Sequence, residues 1–235
     1  MTLTSSLNAI LLCGGKGERL RPLTESLPKP LVPIKGKPIL SHLLDYLSSS
    51  PINHYYIAAG YEVEKIHKYF SEHSTENKNV TIINSGDVDI IERIRSCGKS
   101  IKGDGFLVLY GDTLSDININ KLLRFHNGHS GNATVTLWPL SSPFGIMDVD
   151  EKGLVESYVE KPVLDKWINI GFFYFSAELV ATMERFNKFE SFLEYLISEK
   201  ELYAYKHTGM HITVNTQKEL NEAEKNIDLL RVIHE

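Results

Sequence analysis

The chain has 235 residues, 42% of them hydrophobic and 23% charged, a balance that excludes a disordered chain, a fibre or a collagen. Twenty-five basic against 30 acidic residues leave a net charge of −5. That excludes a general nucleic-acid-binding surface and leaves room for a local phosphate pocket.

The N-terminal half alternates strand and helix. Residues 9–13 are an apolar run ended by Gly14 and Gly15, which predicts a buried strand. Residues 38–48 place Ile39, Leu43, Leu44 and Leu47 on one helical face, with Pro38 suited to the first turn. Further strands are predicted at 55–59, 79–83 and 106–110, and helices over 62–72, 89–101 and 119–129. This alternation implies βαβ units. The expected fold class is α/β, a single domain with a doubly wound, mixed but mostly parallel, Rossmann-like sheet. Such sheets bind ligands at the carboxyl ends of their strands, where the glycine-rich stretch and Gly111-Asp112 fall. In the second half, strand-like runs at 132–138, 146–149, 154–159 and 170–175 suggest a sheet extension that covers the first half. The aromatics at 172–175 read as core. A last helix, over 217–235, puts Leu220, Ala223, Ile227 and Leu230 on one face.

No run of about 18 apolar residues suggests a membrane span. Residues 1–8 do not read as a secretory signal, and Cys13 and Cys97 lack disulfide-framework or metal-site spacing. The expected compartment is the cytoplasm.

The strongest chemical signal is Gly14-Gly15-Lys16-Gly17-Glu18-Arg19-Leu20-Arg21-Pro22-Leu23-Thr24, followed by Pro28-Lys29-Pro30. Glycines after a strand let the backbone approach a ligand, and successive N–H groups cradle phosphate. Arg19 and Lys29 add fixed positive charge. The stretch is neither a P-loop nor the dinucleotide fingerprint. A lone glycine triplet would read as an ordinary connection with solvated charges; the whole stretch with Pro28-Lys29-Pro30 reads as a phosphate site. The nine histidines form no zinc-enzyme motif.

The stretch resembles the signature of the sugar-1-phosphate nucleotidyltransferases. Tyr110-Gly111-Asp112, Glu160-Lys161-Pro162 and Ile168-Asn169-Ile170-Gly171 follow in the family's order, so the resemblance spans about residues 8–220. Within the family the glucose-1-phosphate cytidylyltransferases resemble it most, on Ser85-Gly86-Asp87. The resemblance implies transfer of a nucleoside monophosphate, CTP favoured, to a sugar-1-phosphate, with Mg2+ as cofactor and pyrophosphate released. It implies that Arg19 holds the β- and γ-phosphates, Lys29 the α-phosphate and Lys161 the acceptor phosphate. Asp112 and Asn215 are the implied metal ligands. Leu12, Gly14, Gly15, Lys16, Gly17, Ser85 and Gly86 are the implied nucleotide contacts, and Glu160, Asn169 and Gly171 the acceptor contacts. Residues from about 8 to 130 then form a nucleotide-binding half and 131–220 an acceptor-binding half. A homo-oligomer and a role in surface-polysaccharide synthesis are also implied.

Three departures stand out. Asn215 occupies the place of a second metal-binding aspartate. Asp89-Ile90-Ile91-Glu92-Arg93 lacks a paired glycine, so Ile91 and Glu92 are expected to crowd the ligand and Glu92 to repel phosphate. Ile170-Gly171 also lacks a paired glycine, which points a side chain toward the sugar or into the core. These departures keep two alternatives open: a cytidylyltransferase for a non-sugar phosphate such as a polyol phosphate, choline phosphate or phosphonate, and a catalytically weak, nucleotide-binding partner subunit.

Overall fold

The first apolar run becomes the centre of the sheet. A computed structural model describes residues 7–73 and 79–230. The chain opens with β1 (Leu7–Cys13), the short β2 (Pro33–Ile34) and β3 (Lys37–Pro38), α1 (Ile39–Leu47), β4 (Ile52–Ala59) and α2 (Val63–Glu72). It continues through β5 (Val80–Asn84), α3 (Ile90–Gly98), β6 (Gly105–Tyr110), β7 (Thr113–Ser115) and α4 (Ile119–His126). Next come β8 (Ala133–Ser141), β9 (Ile146–Val149), β10 (Val155–Val159), β11 (Val163–Ser176), α5 (Leu179–Met183) and α6 (Phe189–Ser198). Last are β12 (Leu202–Lys206), β13 (His211–Thr213) and α7 (Gln217–Asn226), with a 3-10 turn at Ile227–Leu229.

Seven strands form the main sheet in the order β12-β8-β11-β6-β1-β4-β5. β1 pairs in parallel with β4 and β6, and β4 with β5. β11 runs antiparallel to both β6 and β8, and β12 pairs in parallel with β8. The sheet is therefore mixed and mostly parallel, as its strand–helix alternation predicts. Alternate residues of β1 feed opposite cores. Ala9, Leu11 and Cys13 pack toward α1, α2, α4 and α7, while Ile10 packs toward α3, α5 and α6. Helices thus cover both faces, which is the doubly wound arrangement.

The aromatics of β11 are core as expected. Phe172, Phe173 and Phe175 are fully buried, and each such side chain contributes about 1.5–3 kcal/mol by leaving water. The second half differs from expectation in placement. β8, β11 and β12 widen the sheet at its edge rather than cover the first half, and β9 and β10 form a separate two-stranded hairpin. β11 is longer than the expected strand at 170–175, and α5 and α6 lie where no element is expected. In the C-terminal helix, Leu220, Ala223 and Ile227 are buried and Leu230 packs against them. The stretch expected to be helical to residue 235 lies outside the described residues from 231 on.

His126 lies under the sheet edge, its Nδ1 2.9 Å from Thr134 Oγ1. Burial, and then neighbouring His129, push its pKa down to about 4. The unfolded imidazole titrates near pH 6.5 or about there. Below that, the unfolded chain takes up a proton that the folded chain refuses until about pH 4, so stability falls as pH drops through this window. Urea midpoints should therefore fall between about pH 7 and about pH 5, and His126→Gln should flatten the slope. An identical slope in the variant would refute this role for His126.

Candidate active site

The site lies at the carboxyl ends of β1, β5 and β6. A cleft of about 410 Å3 opens there between Leu12, Gly14 and Gly15 on one side and Asp87, Val88 and Ile90 on the other, with Arg93, Tyr110 and Asp112 closing it. The glycine-rich loop leaves β1 and turns through 3-10 helix at Glu18–Leu20, Leu23–Glu25 and Lys29–Leu31, with Gly17 at positive φ before the first. The Thr24 hydroxyl donates to Gly17 O at 2.8 Å and ties this loop to itself.

Lys29 is the hub. Its side chain is carried on the last of these turns and the residue is 9% exposed. Its ammonium lies 2.5 Å from Asp112 Oδ2 and donates to Asn215 Oδ1 at 2.8 Å. Arg19 Nη2 donates to the same amide oxygen at 3.0 Å. Thr113 Oγ1 donates to Asp112 Oδ1 at 3.1 Å. Asn215 Nδ2 donates to Thr213 Oγ1 at 3.0 Å, which points the amide oxygen at the two cations. The strand pair β7–β13 brings residues 113 and 213 side by side, and Val214 N bonds Asp112 O at 3.2 Å. Behind Asn215, a capping box of Thr216 and Glu219 starts α7, and Glu219 also accepts from Asn215 N at 2.7 Å.

A second cation sits deeper. Arg93 is 6% exposed, and Nη1 donates to Ser85 Oγ at 3.1 Å and toward Ala59 O at 3.4 Å. Burial lowers its pKa, partly offset by the charge of Asp87. A Cβ at Gly14 would stand 1.6 Å from Arg93 Nη1, so the close approach of this guanidinium requires glycine there. Ser85 Oγ also donates to Ala59 O at 2.8 Å, and Gly86 follows at the turn out of β5. Across the mouth, Lys16 pairs with Asp87 at 2.6 Å. Burial, and then Asp112, push the Cys13 thiol well above its ordinary pKa, which favours the protonated form.

The structure brings together Leu12, Gly14, Gly15, Arg19, Lys29, Asp112 and Asn215. It treats the acceptor residues differently. Asn169 Oδ1 accepts from Gly171 N at 2.8 Å. Gly171 has φ +77° and its missing Cβ would strike the Tyr110 ring at 2.3 Å, so Asn169, Gly171 and Tyr110 meet at the cleft wall. Phe172 pairs with Leu109, so residues of β11 before Gly171 run past the end of β6 on the cleft side. Glu160 and Lys161 stand at the outer end of that arm and are exposed. Their polar contacts are local: Lys161 Nζ lies 3.9 Å from Glu160, which also accepts from the Tyr158 hydroxyl.

Two expectations are corrected. Ile91 is buried in the core and Glu92 accepts from Arg95 Nη2 and from Ser96 Oγ at 3.2 Å, so neither fills the cleft nor meets phosphate there. Their helical phase turns them away, and Ile90 lines the cleft instead. Ile170 is 3% exposed and belongs to the core, so it does not point at a sugar. Arg93, Tyr110, Val88 and Ile90 were not among the expected site residues. A readable signal existed for Arg93, a lone cation on the face of α3 that buries Ile94 and Cys97.

As to a metal, the Asp112 and Asn215 oxygens converge on one point, so they fit a cation; here that cation is the Lys29 ammonium. Among the described residues no group of three His, Cys, Asp or Glu side chains surrounds such a point.

Residues 8–222 match the family model described as Nucleotidyl transferase. The chain is 32% identical to the Bacillus subtilis protein named "Probable glucose-1-phosphate cytidylyltransferase", over 93% of this chain and 95% of that protein. It is 29% identical to the mannose-1-phosphate guanylyltransferase catalytic subunit beta of Drosophila pseudoobscura pseudoobscura, over 93% of this chain and 62% of that one. The crystal structure of HddC from Yersinia pseudotuberculosis superposes with a TM-score of 0.75 at 22% identity, covering 94% of this chain and 99% of that chain. The chain therefore belongs to the nucleotidyl transferase family and is an enzyme of the sugar-1-phosphate nucleotidyltransferase type. No helix among the described residues is long and apolar enough to cross a membrane.

Gly14→Ala should lower the unfolding free energy by about 1–3 kcal/mol through overpacking against Arg93. Urea unfolding of Gly14→Ala, Arg93→Ala and the double variant checks this. The double variant should lose less than the sum of the singles. Strict additivity would show that the two positions do not meet.

Proposed function

We propose that the chain transfers the cytidylyl group of CTP to a sugar-1-phosphate, forming a CDP-sugar and releasing pyrophosphate. The observation that carries the reaction class is the convergence of Arg19, Lys29, Asp112 and Asn215 beside a cleft floored by a glycine-rich loop. The choice of CTP is supported by Ser85-Gly86-Asp87 and by the name of the Bacillus relative. The guanylyltransferase relative is less identical over a similar share of the chain.

An oxygen of the acceptor phosphate attacks the α-phosphorus of CTP. The new P–O bond forms as the bond to the bridging oxygen of the β-phosphate breaks, and its electron pair leaves with pyrophosphate. No protein nucleophile takes part. Catalysis is positioning and charge stabilisation. In this reading Lys29 sits at the α-phosphate and Arg19 at the departing β- and γ-phosphates, with Lys16 and the backbone from Gly14 to Gly17 alongside. Leu12, Gly14, Ser85 and Gly86 flank the base. Asn169 and Gly171 border the acceptor sugar with Glu160, and Lys161 brings its charge to the acceptor phosphate. Asp112 and Asn215 would hold Mg2+, which supplies charge neutralisation on the triphosphate when bound. The glycine-loop half of the chain then serves the nucleotide and the β8–β11 arm the acceptor. We place the enzyme in the cytoplasm, as a homo-oligomer supplying activated sugar for polysaccharide synthesis.

The test is pyrophosphate release with Mg2+, each of CTP, UTP, dTTP, GTP and ATP, and a panel of sugar-1-phosphates, polyol phosphates and choline phosphate. Release with CTP and one sugar-1-phosphate is expected. Arg19→Ala, Lys29→Ala and Asp112→Asn should each lower kcat/KM by about 100-fold or more. Glu92→Gln should leave it unchanged, because that carboxylate faces Arg95. Release with another nucleotide alone would reject the cytidylyl reading, and full activity of Lys29→Ala would reject the site.

A further inference from the structure

The charge count at the hub is unusual for a place meant to hold a divalent ion. Arg19 and Lys29 are cations, Asp112 is one carboxylate, and Asn215 contributes a neutral amide oxygen shared by both cations. Of the neighbouring charges, the Glu219 carboxylate lies behind Asn215 and the others are paired elsewhere. Glu219 is turned to the amides of Asn215 and Thr216 at the start of α7, Lys16 pairs with Asp87, and Glu18 lies 3.8 Å from Arg21. The side chains that meet at the hub, Arg19, Lys29, Asp112 and Asn215, therefore carry net positive charge among themselves before any metal binds. Its lone carboxylate is already occupied by an ammonium that is nearly buried.

From this we propose that the site grips the triphosphate directly through Arg19 and Lys29, with little dependence of nucleotide binding on divalent metal. Asn215 sets this behaviour. An amide oxygen orients both cations without cancelling either charge, so both remain attractive to an anion. A carboxylate in the same position would neutralise the hub, repel phosphate and create a two-carboxylate seat for a hard cation. The Thr213 hydroxyl could turn to donate to the second oxygen, so the exchange fits the local geometry. The proposal rests on the nucleotidyltransferase reading of the cleft and concerns binding rather than turnover.

The experiment is calorimetric titration of the full chain with CTP, UTP and GTP, each in EDTA and in excess Mg2+. For the tightest of the three, wild-type affinity should differ less than about threefold between the two conditions. Asn215→Asp should bind about tenfold or more weakly in EDTA and recover with Mg2+. Asn215→Ala, which adds no charge, should keep the small metal effect, and melting curves establish that both variants fold. Wild-type binding that appears only with Mg2+ overturns the proposal while leaving the nucleotidyltransferase reading intact. So does Asn215→Asp behaving as wild type in EDTA. Absence of binding by all three nucleotides under both conditions overturns the proposal and the reading together.

Discussion

One ammonium group organises the site. Lys29 reaches Asp112 across 83 positions of sequence and Asn215 across 186, so it joins the glycine-rich loop, the end of β6 and the start of α7. At 9% exposure its charge is costly to leave unpartnered, and both partners are placed by backbone pairing of β7 with β13. The loop that follows β1 is polar and short of regular structure, and its three 3-10 turns acquire a fixed path through this anchor. The same contacts that fix the loop present its cations to the cleft.

Arg93 plays the corresponding part on the other side. Its guanidinium reaches the carboxyl ends of β4 and β5 and sits where a side chain at Gly14 would be. The cleft thus has Arg93 in its wall, held by a hydroxyl and a carbonyl, and Lys29 beside it, held by the cleft-lining carboxylate of Asp112 and by an amide. A site of this construction is preorganised for an anionic ligand and needs little reorganisation when one arrives. It also explains why position 14 is a glycine, since a Cβ there would stand in the place of the Arg93 guanidinium.

The central sheet is legible because β1, β4 and β6 are buried on both faces and read as apolar runs, while α2 and α4 bury one stripe each and α1 is buried nearly all round. The edge is less so. β12 has no fully buried residue to mark a core face, and β7 and β13 have only three residues each, too few for a period. α6 was readable in principle from Phe189, Phe192 and Leu196, all of which are buried. Motif order alone points to the loop cations and to Asp112. Glu92 was misjudged because linear spacing was weighed without helical phase: three residues on, Arg95 is its natural partner. That Lys29 itself would join Asp112 to Asn215 could not be read from spacing, since it depends on β13 returning beside β7.

The most direct check of this account is a double-mutant cycle on stability between Lys29 and Asp112, using Lys29→Met, Asp112→Asn and the double variant under urea. If the ammonium–carboxylate contact anchors the loop, the coupling energy should lie at about 1–3 kcal/mol, and Asp112→Asn alone, which strands the more buried charge, should be the most destabilised form. A coupling within about 0.3 kcal/mol of zero, the range of independent sites, would contradict the claim that this pair holds the site together.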